Sequence, residues 1–111
     1  MDNLENPYLI SGGDKTMSLT RKANTESGAS LQVVLDNTFN GTTSTARLKQ
    51  SNSLDLDEAN WNYLPEEALT LVKGSNLLQT NSFTCRFIAI EITVGDANLG
   101  TATFHMNFQN I

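Results

Sequence analysis

The chain has 111 residues, one cysteine and a formal net charge of −5 at pH 7. A chain of this length folds as a single domain, and its acidity argues against partners that are themselves anionic, namely nucleic acids and acidic membrane surfaces. Because Cys85 stands alone, a disulfide within the chain is excluded and stability has to come from packing.

The first 29 residues carry the weakest pattern. The opening segment MDNLENPYLI contains acidic residues and no basic stretch followed by an apolar one, so we expect no secretory signal there. Short strands are predicted at 8–10 and 16–20, preceded by an arm at 1–6. The predicted organisation is one domain, with an N-terminal arm and first strands in 1–29 and the main body of a β-sandwich in 30–111.

Two strands are predicted between residues 30 and 50. In 30–36 and in 44–50, apolar residues alternate with polar ones, which is the period of a strand with one buried face. Between them, Asn40–Gly41 is typical of a tight hairpin turn. Arg47 and Lys49 occupy the polar positions of the second strand, so we expect that strand to face solvent or to lie at a sheet edge.

The middle of the chain is predicted to consist of a polar loop and three short strands. The acidic loop spans 51–60, with one helical turn at 55–59. The strands are predicted at 61–64, where Pro65 ends the run, at 68–72 and at 76–80.

The clearest pattern lies near the C-terminus, where two long alternating segments flank the turn at 95–100. Together with the earlier segments they make seven or eight short strands separated by turn residues, which predicts an all-β fold: a single antiparallel β-sandwich of jelly-roll type. The predicted core consists of Leu31, Val33, Leu35, Leu48, Trp61, Ile88, Ile90, Ile92, Phe104 and Met106.

The polar row of the last strand is unusual for an exposed sheet face. It consists of Thr101, Thr103, His105 and Asn107, none of which carries a fixed charge. Desolvating Thr and Asn costs far less than desolvating Lys or Glu, so rows of this kind are common where a strand packs against another subunit. We therefore predict that these four residues contact a neighbouring subunit.

A catalytic site is not indicated. The only conceivable nucleophile and base, Cys85 and His105, both lie inside predicted strands, with no glycine elbow or helix N-terminus to activate the thiol. We expect His105 to be a surface or interface residue, and we expect no enzyme activity and no cofactor.

Individual residues suggest two hypotheses about ligand binding. Asp55, Asp57 and Glu58 supply closely spaced oxygen ligands of the kind that Ca²⁺ prefers, although the run lacks the glycine and the spacing of a calcium loop. Trp61 and Tyr63 stand two residues apart, so their side chains project from the same face of a strand. Two aromatic rings placed in this way are able to stack on a sugar. The simpler interpretation of the acidic residues is a solvated loop without bound metal. The simpler interpretation of Trp61 is a side chain that packs in the core.

Three segments carry a resemblance to a known group of proteins. They are SLQVVLDNTFNGT, WNYLP and SFTCRFIAIEITVGDANLGTATFHMNF, the last with a glycine-bounded turn before a GT-x-T strand at 100–103. Over residues 30–108 this pattern resembles the small β-sandwich virion proteins of bacterial viruses. The resemblance implies a capsid-associated role, as a decoration, penton or spike-base component, and self-association. It carries no functional residues, because it marks core strands only.

Two functional hypotheses follow. The first is a non-enzymatic virion structural protein that acts through contacts with copies of itself and with other virion proteins, assembled in the host cytoplasm, without nucleic-acid or membrane binding. The alternative is a carbohydrate-binding or adhesion module that uses Trp61 and Tyr63, assisted by Ca²⁺ at Asp55, Asp57 and Glu58.

Overall fold

Two antiparallel sheets face each other around one hydrophobic core. The structure is a computed structural model that describes residues 6–11, 13–22, 25–55 and 57–109, without the side chains of Arg21 and Glu58. Its strands are β1 (Tyr8–Leu9), β2 (Lys15–Arg21), β3 (Gly28–Leu35), β4 (Thr45–Ser51), β5 (Asn62–Tyr63), β6 (Leu69–Thr70), β7 (Gly74–Thr80), β8 (Phe87–Thr93) and β9 (Thr101–Gln109), and Glu58–Asn60 form one turn of 3-10 helix.

The strand order is that of a jelly roll. The four-stranded sheet has the order β1-β9-β3-β7, and the five-stranded sheet has the order β2-β8-β4, with β5 and β6 both pairing with β4. Since β5 and β6 pair with opposite ends of β4, they act as one strand that is interrupted around Pro65. Successive strands otherwise alternate between the sheets, so the chain wraps around the core as in jelly-roll folds. The predicted all-β sandwich is confirmed.

The core is built from the inward rows that the alternation predicted. Leu31 and Val33 on β3 and Ile88, Ile90 and Ile92 on β8 are each at most 1% exposed. They belong to one cluster that also contains the predicted Leu35, Leu48 and Phe104. Each buried aliphatic side chain of this size stabilises the fold by about 1.5–3 kcal/mol relative to exposure.

Two of the predicted core residues differ from that prediction. Met106 is only half-buried and packs against the edge of the main cluster. Trp61 is buried, but it belongs to a separate small cluster with Phe87 and Ala89. Because Ala89 alternates with the inward isoleucines of β8, this second cluster lies on the outer face of the five-stranded sheet.

The hairpin predicted at Asn40–Gly41 is not formed. β3 and β4 lie in different sheets, so the segment between them crosses from one sheet to the other. Phe39, 2% exposed, anchors this crossing in the core. A Cβ atom on Gly41 would lie 2.7 Å from the ring of Phe39 and 2.6 Å from Oγ of Ser44. The glycine therefore serves close packing rather than a turn with positive φ.

The prediction of β4 as an edge or solvent-facing strand is wrong. β4 lies inside the five-stranded sheet, with β8 on one side and β5 and β6 on the other. Its residue Lys49 is 3% exposed. Alternation placed Lys49 correctly on the outer face, but it could not show that other side chains cover that face.

The N-terminal strands belong to the sandwich. β1 pairs with β9 and β2 pairs with β8, and their residues Tyr8 and Met17 are part of the core cluster. Asn6 is fixed as well, because its side chain donates to the carbonyl of Phe104 at 3.0 Å and accepts from the Phe104 N–H at 3.1 Å. Of the predicted arm at 1–6, residues 1–5 lie outside the described residues.

Hydrogen bonds join the β3–β4 and β8–β9 connections at one end of the sandwich. The carboxylate of Asp96 accepts from the N–H and hydroxyl groups of both Thr42 and Thr43. These bonds, with the Thr42 hydroxyl making the largest contribution, hold the pKa of Asp96 well below its usual value. Asn40 and Asn98 add a second connection, with the Asn98 N–H donating to the Asn40 side chain at 3.0 Å.

Replacing a core leucine should cost far more stability than replacing an exposed one. We expect Leu31→Ala to lower the free energy of unfolding by about 2–5 kcal/mol, because it opens a cavity between the sheets. The matched control is Leu99→Ala, since Leu99 is 58% exposed; it should change stability by less than about 0.5 kcal/mol. Urea unfolding measures both, and equal losses would contradict the described core.

The contribution of Asp96 to stability should disappear in acid. Its pKa in the folded protein is below the ordinary value of 3.8, so the ionised carboxylate stabilises the fold above that pH and progressively less below it. Asp96→Asn should be less stable than the parent at neutral pH, and the difference should shrink between about pH 4 and pH 2. Urea unfolding at several pH values tests this; a difference that stays constant over the range would refute it.

Candidate interaction face

The predicted contact row lies in the middle of an open sheet face. Thr101, Thr103, His105 and Asn107 alternate on β9 with the inward residues Ala102 and Phe104, so they project from the outer side of the four-stranded sheet. The two threonines are half-buried, and His105 and Asn107 are exposed. β9 has β1 on one side and β3 on the other, so this row runs through the sheet and not along its edge.

The strands beside β9 extend this face without adding a charge. On β3, His105 lies opposite Gln32 and Thr103 lies opposite Val34. On β7, Gln32 lies opposite Leu77, which is 54% exposed. The outward residues of the three strands are Ser30, Gln32, Val34, Ser75, Leu77, Gln79, Thr101, Thr103, His105, Asn107 and Gln109. Among these described residues there is no Asp, Glu, Lys or Arg, and we call this surface the uncharged face.

The size of the uncharged face sets the strength of any contact it makes. The eight residues of β3 extend about 27 Å, and four strands span about 19 Å, which gives an area of roughly 500 Å². Two such faces in contact would bury about 1,000 Å², near the lower limit for a specific interface. A contact of this size is weak by itself and becomes strong when it is repeated in an assembly.

The outer face of the five-stranded sheet is built differently, around an ion pair. Nζ of Lys49 lies 2.5 Å from a carboxylate oxygen of Glu91. The hydroxyl of Tyr63 donates to the same carboxylate at 2.8 Å, and the guanidinium of Arg47 lies 4.0 Å from the centre of the Tyr63 ring. Glu91 thus accepts from both Lys49 and Tyr63, whereas Nε of Arg47 is buried without a hydrogen-bond partner. Together the four side chains cover the sheet so that Lys49 is nearly inaccessible to solvent.

The ion pair shifts two pKa values in opposite directions. Burial opposes ionisation of Glu91, but the hydrogen bonds from Lys49 and Tyr63 outweigh it and hold the pKa of Glu91 below its usual value. The hydrogen bond to Glu91 raises the pKa of Tyr63, because ionised Tyr63 would place a second negative charge against the carboxylate. At neutral pH Glu91 is therefore ionised and Tyr63 is neutral, so Tyr63 donates its hydrogen bond to a charged carboxylate.

Trp61 is not available as a stacking surface. It is 8% exposed and packs with Phe87 and Ala89. Its indole N–H donates to the carbonyl of Asp55 at 2.6 Å, which fixes the β4–β5 loop over the outer face of the five-stranded sheet. Tyr63, which was predicted to stack on a sugar together with Trp61, is 46% exposed, and the guanidinium of Arg47 lies over its ring.

The acidic loop uses its carboxylates locally. Oδ1 of Asp55 accepts from the N–H of Asp57, and Oδ1 of Asp57 accepts from the N–H of Ala59, each at 3.1 Å. The side chain of Glu58 lies outside the described residues. Within the described part of the chain, no group of three or more potential metal ligands is close enough to hold an ion.

Cys85 and His105 are not brought together. Cys85 precedes β8 and is half-buried against the main core, whereas His105 projects from the outer side of the opposite sheet. Since packed sheets are about 10 Å apart, the sandwich separates these two side chains. The pair therefore has no geometry for nucleophilic catalysis.

No protein-family model, no curated protein and no solved structure matches the chain. Separately, among the described residues no helix is long and apolar enough to span a membrane.

Two features of the outer faces were not predicted from sequence. The ion pair of Lys49 with Glu91 depends on β4 and β8 being neighbours, where Arg47 lies directly opposite Glu91. The contribution of Leu77 to the uncharged face depends on β7 pairing with β3. Alternation alone marked Lys49 and Glu91 as outward residues of opposite charge, which was the one available signal for their pairing.

Removing the carboxylate of Glu91 should destabilise the protein. Glu91→Gln removes the carboxylate that lies 2.5 Å from the buried ammonium of Lys49, so we expect the free energy of unfolding to fall by about 2 kcal/mol. In the double variant Lys49→Met, Glu91→Gln the buried ammonium is removed as well, and about half of that loss or more should be recovered. Urea unfolding of the parent, the two single variants and the double variant measures this; additive losses would show that the two side chains do not interact.

Proposed function

We propose that this chain is a non-enzymatic structural protein of bacteriophage virions, a capsid decoration, penton or spike-base component. It acts through subunit contacts made by the uncharged face and is assembled in the host cytoplasm. The observation that carries the proposal is the absence of charge from the outward residues of β3, β7 and β9, which are three of the four strands of one sheet.

The contrast between the two outer faces supports an interaction role. The five-stranded sheet covers its outer face with its own side chains, through the Lys49–Glu91 pair and the Trp61 cluster. The four-stranded sheet leaves Leu77 and Leu9 exposed beside neutral polar residues. In a chain of net charge −5, charge is present on the surface but is kept off this face. A face without charge has a low desolvation cost when a second protein covers it.

The virion assignment is supported by the jelly-roll strand order and by the sequence resemblance over residues 30–108. Jelly rolls form viral capsid proteins, and they also form lectins and cupins, so the fold narrows the class without deciding it. A small weak face suits a shell, because many symmetric copies multiply a modest contact.

The carbohydrate-binding alternative has less support, because Trp61, the main residue on which it depends, is buried. A sugar ring stacks on an exposed aromatic face, and Trp61 is buried under its own loop. Tyr63 remains exposed, but the Arg47 guanidinium already lies over its ring. No arrangement among the described residues favours this alternative over a contact role.

A single charge on the uncharged face should weaken self-association. Thr103→Lys places an ammonium in the middle of the proposed contact and should raise the dissociation constant at least about tenfold, because the charge has to be desolvated. The matched control is Thr93→Lys, since Thr93 is also half-buried but projects from the outer face of the other sheet. Light scattering on a sizing column over a range of concentrations measures both variants and the parent.

Three outcomes decide the proposal. Association of the parent and of Thr93→Lys, with loss in Thr103→Lys, supports it. Equal weakening by both substitutions would assign association to some other surface. A parent protein that stays monomeric up to about 1 mM would contradict self-association through this face, because a contact that weak contributes less than about 4 kcal/mol of binding free energy.

A further inference from the structure

β7 is an open edge of the four-stranded sheet. Its residues Gly74–Thr80 pair with β3 in an uninterrupted register of seven residues, and no strand of the described chain pairs with its other side. The strand itself contains no charged residue and no proline. Exposed regular edges of this kind accept an additional strand, because their free N–H and C=O groups are aligned for pairing.

The other edges of the sandwich are protected. β1, β5 and β6 have only two residues each. β2 contains Lys15 and Arg21, and its register shifts between Ser18 and Thr20. Short strands, charged residues and bulges are the devices that block edge-to-edge pairing. Among the described strands, β7 is the one long edge that lacks all of them.

The start of β7 is held rigidly. Asn76 is 5% exposed, and its amide donates to the carbonyl groups of Val33, Val72 and Gly74. Its side-chain oxygen accepts from the N–H of Val72 at 2.9 Å. An edge that is fixed in advance loses little conformational entropy when a partner strand binds.

An apolar cleft lies beside this edge. It has a volume of about 280 Å³, and its walls include Leu48, Leu69, Leu77 and Leu78. Glu66 and Glu67 also line it and are exposed, and Glu66 lines a second depression with Gln79 and Thr80. The two carboxylates therefore lie near the C-terminal half of β7. A strand added at this edge could place an apolar side chain in the cleft and a cation beside the glutamates.

We propose that β7 and the adjacent cleft bind an extended, basic segment of another protein by strand addition. The segment pairs with the free edge of β7, antiparallel like every other pair in the sheet. One apolar side chain fills the cleft, and Lys or Arg residues in its N-terminal half meet Glu66 and Glu67. This site borders the uncharged face at Leu77 and Gln79 but uses the backbone edge of β7, so either contact can fail without the other.

Two occupants from this chain fit the site less well. β7 of a second copy would bring side chains such as Leu78 and Thr80, which are already packed in the core of that copy and cannot fill the cleft. The N-terminal segment of a second copy carries Asp2 and Glu5, which would be repelled by Glu66 and Glu67. A basic segment satisfies both the apolar cleft and the charge at its rim.

The test uses a synthetic peptide of seven residues, matched to the length of β7. The peptide carries leucine at position 5 and lysine at positions 1 and 3, so that all three side chains project to the same side of the strand, with neutral polar residues at the other positions. Titration into the 111-residue protein, followed by amide NMR shifts and fluorescence anisotropy, should show saturable binding with the largest shifts at residues 74–80. In Glu66→Lys, Glu67→Lys the dissociation constant should rise about threefold to thirtyfold, as expected for two exposed ion pairs.

Three controls separate strand addition from charge attraction. The double variant Asp55→Lys, Asp57→Lys changes the net charge by the same amount and should bind the peptide like the parent. A peptide with glutamate in place of lysine should prefer Glu66→Lys, Glu67→Lys. A peptide N-methylated at two consecutive central residues should not bind, because adjacent N–H groups in a strand point to opposite sides and one of them has to face β7.

Several results would overturn the proposal: no saturation with any peptide up to about 1 mM, undiminished binding by the N-methylated peptide, or equal losses in the two charge-reversed variants. The self-association of the protein through the uncharged face is measured separately, so failure of either site is distinguishable from failure of the other.

Discussion

The packing of apolar rows between the two sheets is the constraint on which the rest of the molecule depends. Ile88, Ile90 and Ile92 of one sheet and Leu31 and Val33 of the other belong to a single cluster that is almost completely shielded from water. The chain has one cysteine, which is free, so no disulfide supports this core. Since side chains alternate along a strand, fixing the inward rows also fixes which residues project outward from both sheets.

The outward residues of the two sheets then serve different purposes. On the five-stranded sheet, the Lys49–Glu91 pair and the Trp61 cluster cover the surface with the chain's own groups. On the four-stranded sheet the outward residues are neutral, and the free edge at β7 lies beside an apolar cleft. The sandwich thus has one self-contained side and one side whose groups are available to other molecules, and both proposals concern the latter.

The loops at one end of the sandwich show how polar residues support this arrangement. Asp96 binds four donor groups of Thr42 and Thr43, and Asn40 binds the loop that contains Asn98. These bonds join two crossings between the sheets, so the ends of β3 and β9 are held in place. The many Asn and Thr residues of the chain act here as structural connections, which is why their abundance by itself indicated no ligand.

Much of the strand pattern was determined by the sequence alone. Alternation in 30–36 and 83–108 identified the inward residues of β3, β8 and β9 and the outward row Thr101 to Asn107, because a strand has a period of two that is visible in any single segment.

Alternation did not identify which strands are neighbours. The Asn40–Gly41 segment looked like a hairpin turn, yet Phe39 enters the core and carries the chain across to the other sheet. Lys49 looked solvent-facing, and only the adjacency of β4, β5 and β8 buries it. The pairing of strands far apart in the chain follows from how all the apolar rows pack together, and no local pattern contains it. The ion pair, the extent of the uncharged face and the open edge of β7 were therefore decided by the tertiary structure.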